Sequence, residues 1–276
     1  MGEGSAIAWT DHTFNPWWGC VKVSPACTNC YAATFDHRLG GDHWGPRSER
    51  KFFGDKHWNE PRRWNKAAEK AGKRMRVFCA SMADVFEDRP EIVEHRARLF
   101  ALIAETPWLD WLLLTKRPEN LAKMLPPVRT ANIWLGTTVE NQEYADVRIP
   151  LLLAAPAAVH FLSVEPQLGQ IDVTNWLHVR PMSKHRAPID WVIAGCESGH
   201  GARPQNVDWF RSLRDQCASA GVAFFLKQAT EELSHSTSCA VHAIAAGEGS
   251  WRKAGGVIKL PYLDGVQYAA FPEVRR

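Results

Sequence analysis

The chain has 276 residues, a formal net charge of +3, 45% hydrophobic and 23% charged content, which suits one large globular domain or two small ones. The opening Met1-Gly-Glu-Gly-Ser-Ala-Ile-Ala lacks the basic-then-apolar pattern of a signal peptide, position 6 is Ala6 rather than the Ser or Thr of a myristoylation motif, and no apolar run is long enough to span a membrane. A cytoplasmic protein without a membrane role is expected, and its seven cysteines then point to metal binding where they cluster rather than to disulfides.

Residues 6 to 20 read as an extended opening segment, because Pro16 and Gly19 forbid a helix. Next comes Cys20-Val-Lys-Val-Ser-Pro-Ala-Cys27-Thr-Asn-Cys30-Tyr31, three thiols on a loop able to wrap a metal. Structural zinc sites and fully ligated iron–sulfur clusters normally take four protein ligands; three leave a coordination position open, where metals do chemistry. Good helix formers from Tyr31 run to a stop at Gly40-Gly41, placing the cysteines near a helix N-terminus, whose dipole favours thiolates. The other cysteines, Cys79, Cys196, Cys217 and Cys239, read as packing residues.

Residues 47 to 76 hold eleven Lys or Arg against four acids, with Phe52, Phe53, Trp58 and Trp64 interleaved. That mixture suits a nucleic-acid backbone with stackable bases; the plainer reading is a solvated helix, Glu60 to Gly72, whose Trp64 packs inward. From residue 75 a strand–helix rhythm begins. Strands are expected at 75–80, 110–115, 132–139, 159–164, 190–195 and 222–226, with helices at 90–105, 119–125, 142–153 and 207–220. Residues 172–188 read as a loop insertion, 229–256 lack periodicity, and 257–268 read as a hairpin turning at Asp264-Gly265.

Six apolar strands alternating with helices, after an opening strand, predict a parallel sheet. No Gly-x-Gly-x-x-Gly follows an early strand, which argues against the open dinucleotide-binding fold. Asp84, Lys116, Arg117, Glu140, Asn141, Glu165, Glu197, Lys227 and Gln228 fall at or just beyond strand C-terminal ends, the rim that is functional in barrels. The expected fold is therefore α/β, a partial (β/α)6-type parallel barrel over residues 1–228, with the three-Cys loop at 20–30, a basic insertion at 41–74, and a C-terminal extension at 229–276 packed on it. A 4Fe-4S cluster held by three cysteines leaves one iron free, and S-adenosylmethionine can chelate that iron and be reductively cleaved. Asp84, Lys116, Thr138, Glu140, Glu165, Glu197 and Arg203 are the expected cofactor or substrate contacts.

The three-Cys loop, the aromatic Tyr31 beside its last Cys and the Val192-Ile-Ala-Gly-Cys-Glu-Ser-Gly strand end make the chain resemble the radical S-adenosylmethionine superfamily, although the usual C-x3-C-x2-C spacing is here C-x6-C-x2-C. The stretches Thr13-Phe-Asn-Pro-Trp-Trp-Gly-Cys, Cys27-Thr-Asn-Cys-Tyr-Ala, Leu114-Thr-Lys-Arg-Pro, Ser163-Val-Glu-Pro and Gly195-Cys-Glu-Ser-Gly look like those of the phage-associated three-Cys-motif proteins. That resemblance implies a three-Cys-motif partner protein, and radical chemistry implies an electron donor. Two rival readings stand beside it. One is a Cys3His zinc site completed by His37 or His43, which lie 7 and 13 residues beyond Cys30. The other is a nucleic-acid-binding module without catalysis, using residues 47–76; a radical enzyme acting on nucleic acid would join both sets of features. A hydrolase is disfavoured, since neither Gly-x-Ser-x-Gly nor His-Glu-x-x-His occurs.

Overall fold

The computed structural model describes residues 4–127, 131–177, 189–199, 201–230, 244–245, 251–253 and 256–274. The chain divides into two compact units, Met1–Gly136 with Ala155–Ala158 and Arg275–Arg276, and Thr137–Ala154 with Val159–Val274.

In the first unit, β1 (His12–Thr13), β2 (Met75–Cys79) and β3 (Leu109–Thr115) run parallel, in a register that sets His12 beside Val77 and Phe78 beside Leu112. β4 (Ile133–Thr138), of which Ile133–Gly136 belong to this unit, is next in the strand order after β3, and Trp111 N–H reaches the Asn132 carbonyl at 2.8 Å. The run Leu109-Asp-Trp-Leu-Leu-Leu-Thr is apolar on both faces because both faces are covered, as in a parallel sheet flanked by helices. The longer helices are α1 (Tyr31–Arg38), α2 (Glu60–Ala71) and α3 (Val93–Glu105). α2 starts with Pro61 in its first turn, ends at Gly72 in the left-handed conformation (φ 62°), and buries Pro61, Trp64 and Ala68 along one stripe. The plainer reading of Trp64 is the observed one.

In the second unit, β5 (Val159–Val164), β6 (Trp191–Gly195) and β7 (Ala223–Thr230) are parallel. β8 (Trp251–Lys253) and β9 (Val257–Lys259) add antiparallel strands, β9 pairing with β7. α4 (Gln142–Leu153) and α5 (Val207–Ala220) are capped by Asn141 and Asn206, whose side chains accept backbone N–H groups. A small antiparallel sheet joins Ile244–Ala245, Tyr262–Leu263 and Val266–Gln267, and its turn has φ of 52° at Asp264 and 80° at Gly265.

The α/β class with a parallel sheet of βα units is thus the one found, and every expected strand is present, its start displaced by a residue at most. Two differences are physical. The opening segment is two short strands, because Trp17–Trp18 leaves β1 to pair with Lys51–Phe52. β7 continues to Thr230, past the expected end at 226, because β9 supplies it with a second hydrogen-bonded neighbour. Of the insertion read at 172–188, Thr174–Leu177 is helical and 178–188 lie outside the described residues, as does most of 231–250, including Cys239. Among the described residues no helix is long and apolar enough to cross a membrane.

Asn132 closes the α3–β3 connection. Its Nδ2 donates to the carbonyls of Ile103, Thr106 and Leu109 at 3.0, 3.1 and 3.1 Å, all buried. Asn132→Ala leaves those oxygens without this donor, and urea unfolding should show a loss of about 2 kcal/mol. An unchanged midpoint would mean the three carbonyls find other donors.

Candidate functional site

In the first unit the three cysteines lie where the sequence places them, ahead of α1. Cys20 lies outside any regular element, Cys27 ends the 3₁₀ turn Pro25–Cys27, and Cys30 is the residue capping the N-terminus of α1. All three are half-buried free thiols. The loop is held at several points: Cys27 N–H bonds the Ser24 carbonyl at 2.9 Å, Lys22 Nζ bonds the Thr28 carbonyl at 2.9 Å, and Tyr31 Oη donates to the Ser81 carbonyl at 2.9 Å. Gly19 sits at φ 113°, and a β-carbon there would meet the His43 carbonyl at 2.3 Å and Arg50 Cδ at 2.7 Å; only glycine lets the chain enter Cys20 under the 43–50 segment.

Beneath the loop is a buried ionic network. Arg117 is 6% exposed; its Nη1 lies 2.9 Å from Asp84 Oδ2 and 3.6 Å from Cys20 Sγ, and its Nη2 donates to the Val21 carbonyl at 2.8 Å. Asp84 also accepts from Thr115 Oγ1, Lys116 N–H and Phe86 N–H at 2.7, 3.0 and 3.0 Å. Arg50 forms a two-pronged pair with Glu87, at 2.8 and 3.1 Å, and its Nη1 reaches the His43 and Ser48 carbonyls at 3.0 and 2.8 Å. Arg96 donates to the Glu87 carbonyl at 3.0 Å. Burial lowers the Arg96 pKa. Burial also works against the charge on Arg117, but Asp84, Cys20 and Glu87 outweigh it and hold the guanidinium charged. Burial, and then Asp84, push the Cys20 thiol up to about 12 against the pull of Arg117, so the free thiol stays protonated and a metal would displace that proton on binding.

The three thiols share one loop, none is in a disulfide, and an N–H donor is aimed at Cys20 Sγ. Among the described residues, no group of three or more His, Cys, Asp or Glu side chains stands at metal-holding spacing. His43, one of the two histidines considered as a fourth ligand, is bound through Nδ1 to Asp36 Oδ1 at 2.8 Å; His37 is exposed on α1.

Of the other expected contacts, Asp84 meets Arg117, a residue of the expected strand-end rim, and Lys116 is half-buried. The rest lie in the second unit. Thr138 Oγ1 is buried without a partner among the described residues. Glu140, fully buried, pairs with Arg148 at 2.8 Å, and Arg148 also donates to the Thr138 carbonyl. Glu197 holds Arg203 through both carboxylate oxygens, at 2.6 and 3.0 Å, which raises the Arg203 pKa. Glu165 pairs with Lys227 at 2.5 Å. Arg50, Glu87 and Arg148 escaped sequence reasoning. Arg148 had a signal: it lies between Ala145 and Ile149 on the buried face of α4. Arg50 belongs to the basic stretch, in which Trp58 and Trp64 are buried and unavailable for base stacking.

The family model described as protein of unknown function (DUF5131) matches residues 4–272, so the chain belongs to that family. No curated protein matches. Among solved structures, a single-residue mutant of spore photoproduct lyase aligns with TM-score 0.49 and 12% identity over 96% of this chain and 72% of its own. A spore photoproduct lyase complexed with dinucleoside spore photoproduct gives 0.47 and 12% over the same shares. A double mutant of that lyase, with bound AdoMet and dinucleoside spore photoproduct, gives 0.45 and 12% over 92% and 69%.

The Arg50–Glu87 pair gives a direct test of the network. Arg50→Met and Glu87→Leu should each cost about 3–5 kcal/mol in urea unfolding, since each strands a buried charge, and the double variant should cost less than their sum. Additive losses would show that the two charges do not depend on each other.

Proposed function

We propose that Cys20, Cys27 and Cys30 hold a 4Fe-4S cluster and that the protein is an enzyme of radical S-adenosylmethionine type. The observation that carries this is the Arg117–Cys20 contact: a buried guanidinium, fixed by Asp84, donates to a sulfur of a loop with only three thiols. When bound, the cluster and S-adenosylmethionine would supply reductive, radical-generating chemistry. The chain's own residues position and shield. Arg117 orients Cys20 and balances negative charge at its sulfur; Asp84, already accepting four donors, positions Arg117 rather than touching a ligand. Lys116, which has no ion-pair partner among the described residues, supplies an ammonium for a ligand carboxylate. Thr138, Glu165, Glu197 and Arg203 are the proposed polar contacts in the second unit; Glu140, sealed against Arg148, anchors α4 instead. A partner protein of the three-Cys-motif kind and an electron donor belong to the same proposal.

A zinc site is the second reading. Asp36 holds His43 Nδ1 in the way a carboxylate commonly holds a zinc-bound imidazole, leaving Nε2 for a metal. One experiment separates the two. Anaerobic reconstitution should give a brown protein with about four irons per chain, in which dithionite and S-adenosylmethionine yield 5′-deoxyadenosine. Colourless protein with tightly held zinc, or an intact cluster that leaves S-adenosylmethionine uncleaved with its partner and donor present, would contradict the proposal.

The favoured substrate class is nucleic acid. Four residues of 47–76 are neutralised from outside the stretch, Arg50 by Glu87, Arg62 by Glu105, Arg74 by Asp110 and Arg76 by Asp11. Arg63, Lys66 and Lys70 remain exposed along one side of α2. Their triple alanine variant should flatten the salt dependence of single-strand binding by about 2 in log K against log salt. Unaltered binding would remove α2 from the interface.

A further inference from the structure

The second unit holds a polar cluster around Gly195, at the end of β6. A β-carbon at Gly195 would lie 3.2 Å from Gln228 Cγ and 3.3 Å from the Glu165 carboxyl group, so the missing side chain is what lets both groups close over the backbone. The β6–β7 register slips here: Ala194 pairs with Leu226 but Gly195 with Gln228, leaving Lys227 as a bulge. A bulge re-aims side chains that would otherwise alternate across the sheet. Lys227 Nζ accordingly meets Glu165 Oε1 at 2.5 Å, while its neighbour Gln228 also lies over Gly195.

Two glutamines are anchored beside this segment by their nitrogens. Gln228 Nε2 donates to the Cys196 carbonyl at 2.7 Å and Gln167 Nε2 to the Gly169 carbonyl at 3.1 Å, while Gln167 N–H bonds the Gly195 carbonyl at 3.1 Å. A carbonyl only accepts, so both amide orientations are fixed. The two Oε1 atoms are therefore left buried, in residues 3% and 2% exposed, with no donor among the described residues. Native proteins rarely leave such acceptors unpaired.

The cluster thus has an excess of acceptors, two amide oxygens and a carboxylate, beside one cationic donor. Its complement is a planar edge with two adjacent N–H donors next to a carbonyl. Among nucleobases guanine alone offers that edge, with N1–H, the 2-amino group and O6; adenine and cytosine present one donor group beside an acceptor, and uracil one N–H between carbonyls. We propose that Glu165, Gln167, Lys227 and Gln228 form a guanine-recognition site, with the carboxylate and amide oxygens accepting and Lys227 donating to O6. The Glu165–Lys227 pair, with side chains 15% and 17% exposed, parts to admit the base.

This deepens the nucleic-acid reading, and it is tested without cluster or S-adenosylmethionine, so failure of the radical chemistry and failure of this site are separable. Binding to the full chain is measured with guanosine, inosine (no 2-amino group), N1-methylguanosine and a single-guanine DNA oligomer. Guanosine should bind at least about tenfold tighter than inosine or N1-methylguanosine. The oligomer should match guanosine if the base arrives free and exceed it if the base arrives on a strand. Gly195→Ala, which crowds Gln228 and Glu165 without demanding an unusual backbone, and Gln228→Leu should each weaken guanosine binding about tenfold with the circular dichroism spectrum retained. No guanosine binding, equal affinity for inosine, or full binding by folded Gln228→Leu protein would overturn the assignment.

Discussion

A guanidinium is planar, permanently charged and carries five N–H donors in a fixed fork, so a buried arginine dictates what must surround it. Arg117 is such a residue. Asp84 answers its charge, the Val21 carbonyl takes a second donor, and Cys20 Sγ lies within reach of a third. Asp84 is itself fixed by Thr115, by Lys116 N–H at the end of β3 and by Phe86 N–H, so the strand end, the segment after β2 and the cysteine loop converge on one charge pair. Arg50 and Glu87 extend this network to the 43–48 segment, which covers Cys20. Three buried arginines, Arg50, Arg96 and Arg117, face two buried carboxylates, Asp84 and Glu87. Of the three, Arg117 lies against Cys20 Sγ, whose thiol is held protonated by burial.

The second unit follows a different rule. Each acidic residue at a strand end has its own cation: Arg148 for Glu140, Lys227 for Glu165 and Arg203 for Glu197. Buried carboxylates need this, because an unpaired one would give up its charge. The pairs differ in consequence. Glu140–Arg148 is sealed and anchors α4 to the Thr138 carbonyl. Glu165–Lys227 keeps partial exposure and stands next to acceptors without donors, which makes it the pair best suited to exchange partners with a ligand.

Strands and helices were legible because both-faces-buried apolar runs and capped amphipathic segments follow local rules. Pro61 and Gly72 bound α2, and Asn141 and Asn206 open α4 and α5. The site was legible as residue types at strand ends, not as pairings. Arg50 and Arg76 read as members of a basic surface, yet one is buried against Glu87 and the other faces Asp11, because ion pairs between residues distant in sequence leave no local pattern. The bulge at Lys227 was equally invisible, since it arises from the register between β6 and β7 rather than from either strand alone.

The central claim is that three thiolates leave one iron open to S-adenosylmethionine. Electron paramagnetic resonance of the reconstituted, dithionite-reduced protein addresses this coordination directly, before and after addition of S-adenosylmethionine. A reduced-cluster signal whose g-values move when the cofactor is added is the predicted result. A signal that the cofactor leaves unchanged, or a metal-loaded protein with no such signal, would contradict it.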